Sequence, residues 1–251
     1  MSSTSETGHA KTVANFEDLI SFCTGYGATY NPSKAALKTA AMTTLLASAN
    51  TSLQAVKTAK TAYDNATNAR EVAFLPLRPL ATRIINALDA TDALRQTIDD
   101  ARLVNRKIQG SRSKAIKEPE PPQPAGEGGT EPQPKTVSVS QQSFDLLIDH
   151  FSRLIQVLAA EPKYTPNENE LKVATLNTLL TDLKAKNTAV IAATTALSNA
   201  RIARDKVLYA DITGLCDVAL DAKQYIKSLF GTTSPQFKQV SALQFKKRPG
   251  K

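Results

Sequence analysis

Residues 164–209, YTPNENELKVATLNTLLTDLKAKNTAVIAATTALSNARIARDKVLY, contain no glycine and, past Pro166, no proline. Residues 30–75, YNPSKAALKTAAMTTLLASANTSLQAVKTAKTAYDNATNAREVAFL, share that property past Pro32 and align with them without a gap. Roughly 17 of the 46 aligned positions are identical. Alanine matches carry little weight in a chain rich in alanine. Tyr30/Tyr164, Pro32/Pro166, Leu37/Leu171, Leu45-Leu46/Leu179-Leu180, Val56/Val190, Asn65/Asn199 and Arg70/Arg204 carry more. After a slip of two residues the register resumes at Leu88-Asp89-Ala90 against Leu220-Asp221-Ala222.

The absence of helix breakers predicts one helix of about 44 residues in each copy, roughly 65 Å long at 1.5 Å per residue. Thr165-Pro166-Asn167-Glu168 reads as a capping box with proline at the first helical position, and Asn31-Pro32 as a similar start. A helix this long draws its stability from packing rather than propensity. Leu176, Leu183, Val190 and Leu197 step by seven to form the seam that demands a partner.

Shorter helices flank each long one. Phe16, Leu19, Ile20 and Cys23 recur at helical spacing, as do Phe144, Leu147, Ile148, Phe151, Leu154, Ile155 and Leu158. Gly25 and Gly27 end the first of these, and Glu161-Pro162 the second. A third helix is expected near Leu80 to Ile98 and Ile212 to Phe230, with Gly231 as a stop. The predicted fold is all-α: an elongated bundle of two pseudo-twofold-related three-helix repeats, each with one very long central helix. The repeats occupy 1–110 and 141–251, joined at 111–140 by a Pro/Gly/Glu-rich linker expected to be disordered. In the tails, QVSALQF alternates well enough for a strand, with Asn105 to Ile108 as its counterpart.

No apolar run approaches the ~20 residues that span a bilayer, and the opening MSSTSETGHAK lacks the basic and hydrophobic regions of a signal peptide. The expected location is cytoplasmic, with Cys23 and Cys216 as buried thiols.

Net charge is +8, and its distribution matters more than its size. The excess lies in two acid-free runs, Arg102, Arg106, Lys107, Arg112, Lys114 and Lys117, and Lys238, Lys246, Lys247, Arg248 and Lys251. Two such runs can neutralise phosphates. The residues proposed for polyanion contact are Arg102, Arg106, Lys107, Lys238, Lys246, Lys247 and Arg248.

Catalytic signatures fail on context. Tyr30-Asn-Pro-Ser-Lys34 looks like the Tyr-x-x-x-Lys of short-chain dehydrogenases, but nothing before it offers a dinucleotide-binding strand and glycine turn. Neither a pair of Glu-x-x-His motifs, a cysteine cluster, a phosphate loop nor a nucleophile elbow is found. No catalytic residue, metal ligand or cofactor is therefore expected. Arg70 with Asp89, and Arg204 with Asp221, are expected to form interhelix salt bridges, with Asn65 and Asn199 setting helix register.

Residues 229–241, LFGTTSPQFKQVS, followed by ALQFKK, together with the Tyr-x-Pro start of each long helix, resemble uncharacterised bacterial helical proteins of similar duplicated layout. The resemblance implies no activity. The expected function is a non-enzymatic structural or protein-interaction module that associates with itself or a protein partner without entering a membrane. Polyanion binding through the basic runs at 102–117 and 238–251 is the alternative.

Overall fold

The computed structural model describes residues 8–110 and 142–246. The linker expected at 111–140 lies outside the described residues, as do Arg112, Lys114, Lys117, Lys247, Arg248 and Lys251. Among the described residues all regular structure is helical and no strand occurs. In chain order the α-helices are α1 (His9–Gly25), α2 (Thr39–Phe74), α3 (Leu77–Asp89), α4 (Arg95–Gln109), α5 (Phe144–Ala160), α6 (Val173–Tyr209), α7 (Leu215–Phe230) and α8 (Pro235–Ser241).

Neither long helix starts at its proline. Each is preceded by one 3-10 turn, Ala35–Leu37 and Asn169–Leu171. Lys38 and Lys172 follow in extended conformation, with ψ of 139° and 137°. The physical reason is the same in both places. The Tyr30 hydroxyl donates to the Leu37 carbonyl at 2.9 Å, and the Tyr164 hydroxyl to the Leu171 carbonyl at 2.9 Å. Leu37 and Leu171 are themselves buried. Seating the leucine and binding its carbonyl from a tyrosine closes the turn as a separate element, so the capping box at Thr165–Glu168 does not form; Glu168 is extended.

The helix expected near Leu80 to Ile98 is broken. Thr91 Oγ1 donates to the Leu88 carbonyl at 2.7 Å and accepts from the Ala93 amide at 3.3 Å. A side chain that takes the helix carbonyl in this way competes with the next helical turn. The chain leaves α3 at Asp89 and resumes as α4 at Arg95. The residues expected as a strand near Asn105 are therefore helical, and α4 ends at Gly110, whose φ of 74° suits the left-handed stop. The other expected strand residues divide between the end of α8 and a segment without regular secondary structure, and no ribbon forms among the described residues.

Two compact units result. The central unit comprises Ala66–Val190. Its core joins Phe74 at the end of α2, Leu77, Ile84 and Leu88 of α3, Ile98, Val104 and Ile108 of α4, Phe151 and Leu154 of α5, and Leu176, Leu180 and Leu183 of α6. The terminal unit comprises Met1–Asn65 and Ile191–Lys251, so it unites helices from opposite ends of the sequence. Its core joins Phe16, Leu19 and Cys23 of α1, Met42 and Ala49 of α2, Leu208 of α6, Leu215, Cys216 and Ile226 of α7, and Val240 and Phe245 beyond. Phe16 is fully buried, a contribution of about 1.5–3 kcal/mol.

Candidate functional site

A polar layer reaches from the surface of the central unit to buried Asn187 where α2, α5 and α6 meet. Arg70 Nη1 donates to Asn187 Oδ1 at 3.1 Å, and Asn187 Nδ2 donates to Asp145 Oδ1 at 2.7 Å. The Arg70 guanidinium also lies over the Phe144 ring, 4.0 Å from its centroid, and Phe144 meets Phe74 edge-on. Asn187 is buried at 6% exposure. Arg70 Nε is buried without a hydrogen-bond partner among the described residues. Such a layer fixes which turn of one helix faces which turn of the next, because any slip strands the amide and the guanidinium.

This corrects the expected salt bridges. Asp89 pairs with Arg102 at 2.8 Å and with Arg95 at 3.8 Å, not with Arg70. Asp221 pairs with Lys34 at 2.5 Å, and Arg204 with its neighbour Asp205 at 2.7 Å. Arg70 reaches across to α6 and Arg204 stays with Asp205 on its own helix, and the aspartates on α3 and α7 are met by other cations. Asn65 and Asn199 are exposed, and Asn187 takes the register role foreseen for them. The line Leu180, Asn187, one residue over from Leu179, would have revealed it, since Leu180 and Asn187 are both buried.

Of the residues proposed for polyanion contact, Arg102, Arg106 and Lys107 lie on α4 in the central unit. Arg102 is occupied by Asp89 and Asp99, whereas Arg106 and Lys107 have no acidic partner among the described residues. Their place in the last turn also complements the helix dipole. Across from Lys107, His150 of α5 is buried, with Nε2 lacking a hydrogen-bond partner among the described residues. Burial holds its pKa below the usual 6.5, and Lys107 and Arg153 push it the same way against the weaker pull of Asp149. Lys238 and Lys246 belong to the terminal unit, Lys238 on α8 and Lys246 past its end.

Tyr30 and Lys34 are not coupled as a catalytic pair would be. The phenol donates to Leu37, the ammonium to Asp221, and burial raises the phenol pKa, with Cys23 adding to the effect. An acid-base tyrosine needs the opposite direction. Burial likewise pushes the Cys23 thiol up to about 11. Among the described residues no group of three or more His, Cys, Asp or Glu side chains is placed to hold a metal ion, and no helix is long and apolar enough to cross a membrane.

Two features of the terminal unit escaped the sequence. The first is on α2: past buried Ala49, none of residues 50–65 is fully buried, although Leu53 packs partly against the core. Asn50, Gln54, Ala55, Thr58 and Ala62 line an open, uncharged trough along this helix. The second is the segment after α8. Leu243 and Phe245 turn inward and Gln244 and Lys246 outward, Phe245 being 8% exposed. Side chains from two helices take its carbonyls: Lys223 Nζ donates to Ser241 O at 3.0 Å and Leu243 O at 2.6 Å, Asn15 Nδ2 to Gln244 O at 3.0 Å, and Cys216 Sγ to Lys246 O at 3.7 Å. Lys223 also sits 5.9 Å from the Phe245 ring centroid, and burial lowers its pKa.

No protein-family model, curated protein or solved structure matches this chain.

Proposed function

We propose that the protein is a duplicated, non-enzymatic helical module that works by protein interaction, with self-association through the long helices as its first mode. The observation that carries this reading is the uncovered stretch of α2. Residues 50–65 include no fully buried residue, only Leu53 packing partly against the core, and at 1.5 Å per residue extend about 24 Å. Isolated helix is marginal in water, so a stretch with so little cover gains from a partner. The lining Asn50, Gln54, Ala55, Thr58 and Ala62 carry no charge, and a face that meets its own copy then suffers no like-charge repulsion. The duplication itself is supported by the matched tyrosine-to-leucine bonds of Tyr30 and Tyr164.

Light scattering on chromatographed protein between 1 and 100 µM tests it. The expected result is a mass above that of one chain, reduced by Ala55→Asp with helical content unchanged. A single-chain mass throughout the range, with no crosslinks between copies, removes self-association.

A second reading, polyanion binding, rests on Arg106 and Lys107, which lack acidic partners among the described residues. Titration of a DNA duplex at 50 and 200 mM salt decides it. Steeply salt-dependent binding that Arg106→Gln with Lys107→Gln weakens promotes this reading, and no binding at the lower salt ends it.

A further inference from the structure

The terminal and central units cover equivalent places in their cores by different means. In the central unit α4 lies over α3 and α5 as a continuous helix of 15 residues, burying Ile98, Ala101, Val104 and Ile108, and side chains from outside it take only carbonyls of its last turn, Gln142 that of Lys107 and Arg78 that of Ile108. In the terminal unit the cover over α1 and α7 is α8, only 7 residues long, followed by a segment without regular secondary structure. That segment is held from outside itself. Three of its carbonyls, those of Leu243, Gln244 and Lys246, are bound by Lys223, Asn15 and Cys216, while Phe245 fills an apolar slot and Leu243 packs beside it.

This division of labour is how grooves recognise extended peptides. Bonds to main-chain carbonyls are blind to sequence and supply affinity, and pockets for alternate side chains supply selectivity. The three donor side chains come from α1 and α7, which are anchored in the core by Phe16, Leu19, Leu215 and Ile226, the core that Phe245 joins from the segment. The occupant chemistry is visible as well: Leu-x-Phe followed by Lys246, Lys247 and Arg248.

We infer that α1 and α7 form a peptide-binding groove, filled within one chain by its own residues 243–246, and that its partner in trans is the same segment of a second copy. This goes beyond the helical-face reading and does not depend on it. Exchange of the segment between copies would keep every carbonyl bond and the Phe245 contact, so it costs only the effective concentration of a tethered ligand, which is of millimolar order for a short connection.

The test uses the full chain carrying Phe245→Ala, which frees the slot, and a fluorescent peptide of residues 241–251. The variant should bind the peptide at least ~10-fold more tightly than the unaltered chain, whose groove is occupied. A peptide with Phe245→Ala should not bind, and Lys223→Met in the receptor should weaken binding. Loss of fold in the Phe245→Ala chain would overturn the inference, since the segment would then be an integral core element; so would a folded variant that ignores the peptide, or equal binding by both chains. Amide exchange on the unaltered protein gives an independent reading: Gln244 to Lys246 should exchange at least ~100-fold faster than the core of α7. Exchange at the same rate as that core would refute a releasable segment. Light scattering on the two chains separates this result from the α2 reading, because association through α2 survives Phe245→Ala.

Discussion

Replacing Arg70 by alanine is the sharpest probe of the central unit, because sequence and structure give the residue different partners. The structure assigns Arg70 one charge-assisted bond to buried Asn187, at 3.1 Å, and a stacking contact with Phe144 at 4.0 Å. A hydrogen bond to a charged group contributes ~1.5–3 kcal/mol and a partly covered cation over a ring ~0.5–1 kcal/mol. Arg70→Ala should therefore destabilise the central unit by about 2–4 kcal/mol, with the stranded Asn187 carbonyl within that figure. A double-mutant cycle decides which partner matters. Arg70→Ala with Asn187→Ala should couple by about 1–3 kcal/mol, whereas Arg70→Ala with Asp89→Ala should be additive to about 0.5 kcal/mol. Amide exchange in α5 is the suitable assay, since it reports the central unit alone. Coupling to Asp89, or additivity with Asn187, would refute the polar layer.

Three further outcomes follow from local geometry. Tyr30→Phe and Tyr164→Phe each leave a buried leucine carbonyl without its donor, so each should cost about 1–3 kcal/mol, Tyr30→Phe in the terminal unit and Tyr164→Phe in the central one; an effect at only one site would break the parallel between the two turns. His150 has its folded-state pKa held below 6.5, so as pH falls through 6.5 the unfolded chain takes up a proton that the folded chain refuses. Central-unit stability should accordingly be full above about pH 6.5 and decline below it, and His150→Gln should flatten urea midpoints between pH 7 and 5; an unchanged slope would exclude His150 as the cause. Ile212 is a β-branched residue at φ 67° with 68% exposure, a strained conformation with little packing to lose. Ile212→Asn should gain about 0.5–1 kcal/mol and raise the melting temperature by ~2–4 °C, and a fall would show that the turn depends on the isoleucine.

What could be read in advance was whatever a single chain segment decides for itself. The spacing of Phe16, Leu19 and Cys23, and of Phe144 through Leu158, located α1 and α5, because one buried stripe per helix leaves a local trace. Helix boundaries depended on groups remote from the local motif. Thr165-Pro166-Asn167-Glu168 has every mark of a helix start, yet Tyr164 reaches seven residues ahead and closes a 3-10 turn instead. Period-two alternation in the final segment was a true signal, since Leu243 and Phe245 do point inward, but side chains of α1 and α7 supply its partners in place of a strand. The polar layer was hidden for a related reason: Arg70 and Asn187 lie 117 positions apart, and no spacing rule connects them.

The make-up of the terminal unit also sets a timetable for biosynthesis. Its first portion ends at Asn65 and its second begins at Ile191, about 125 residues later, which is roughly 6–25 s of translation at 5–20 residues per second. During that interval the nascent α1 presents Phe16 and Leu19 with no α7 to receive them, while the central unit can finish. Such a delay makes the newborn amino-terminal helix a natural client for holding chaperones, and it explains why a fragment stopped near Val190 would be expected to release a completed core with an adhesive end.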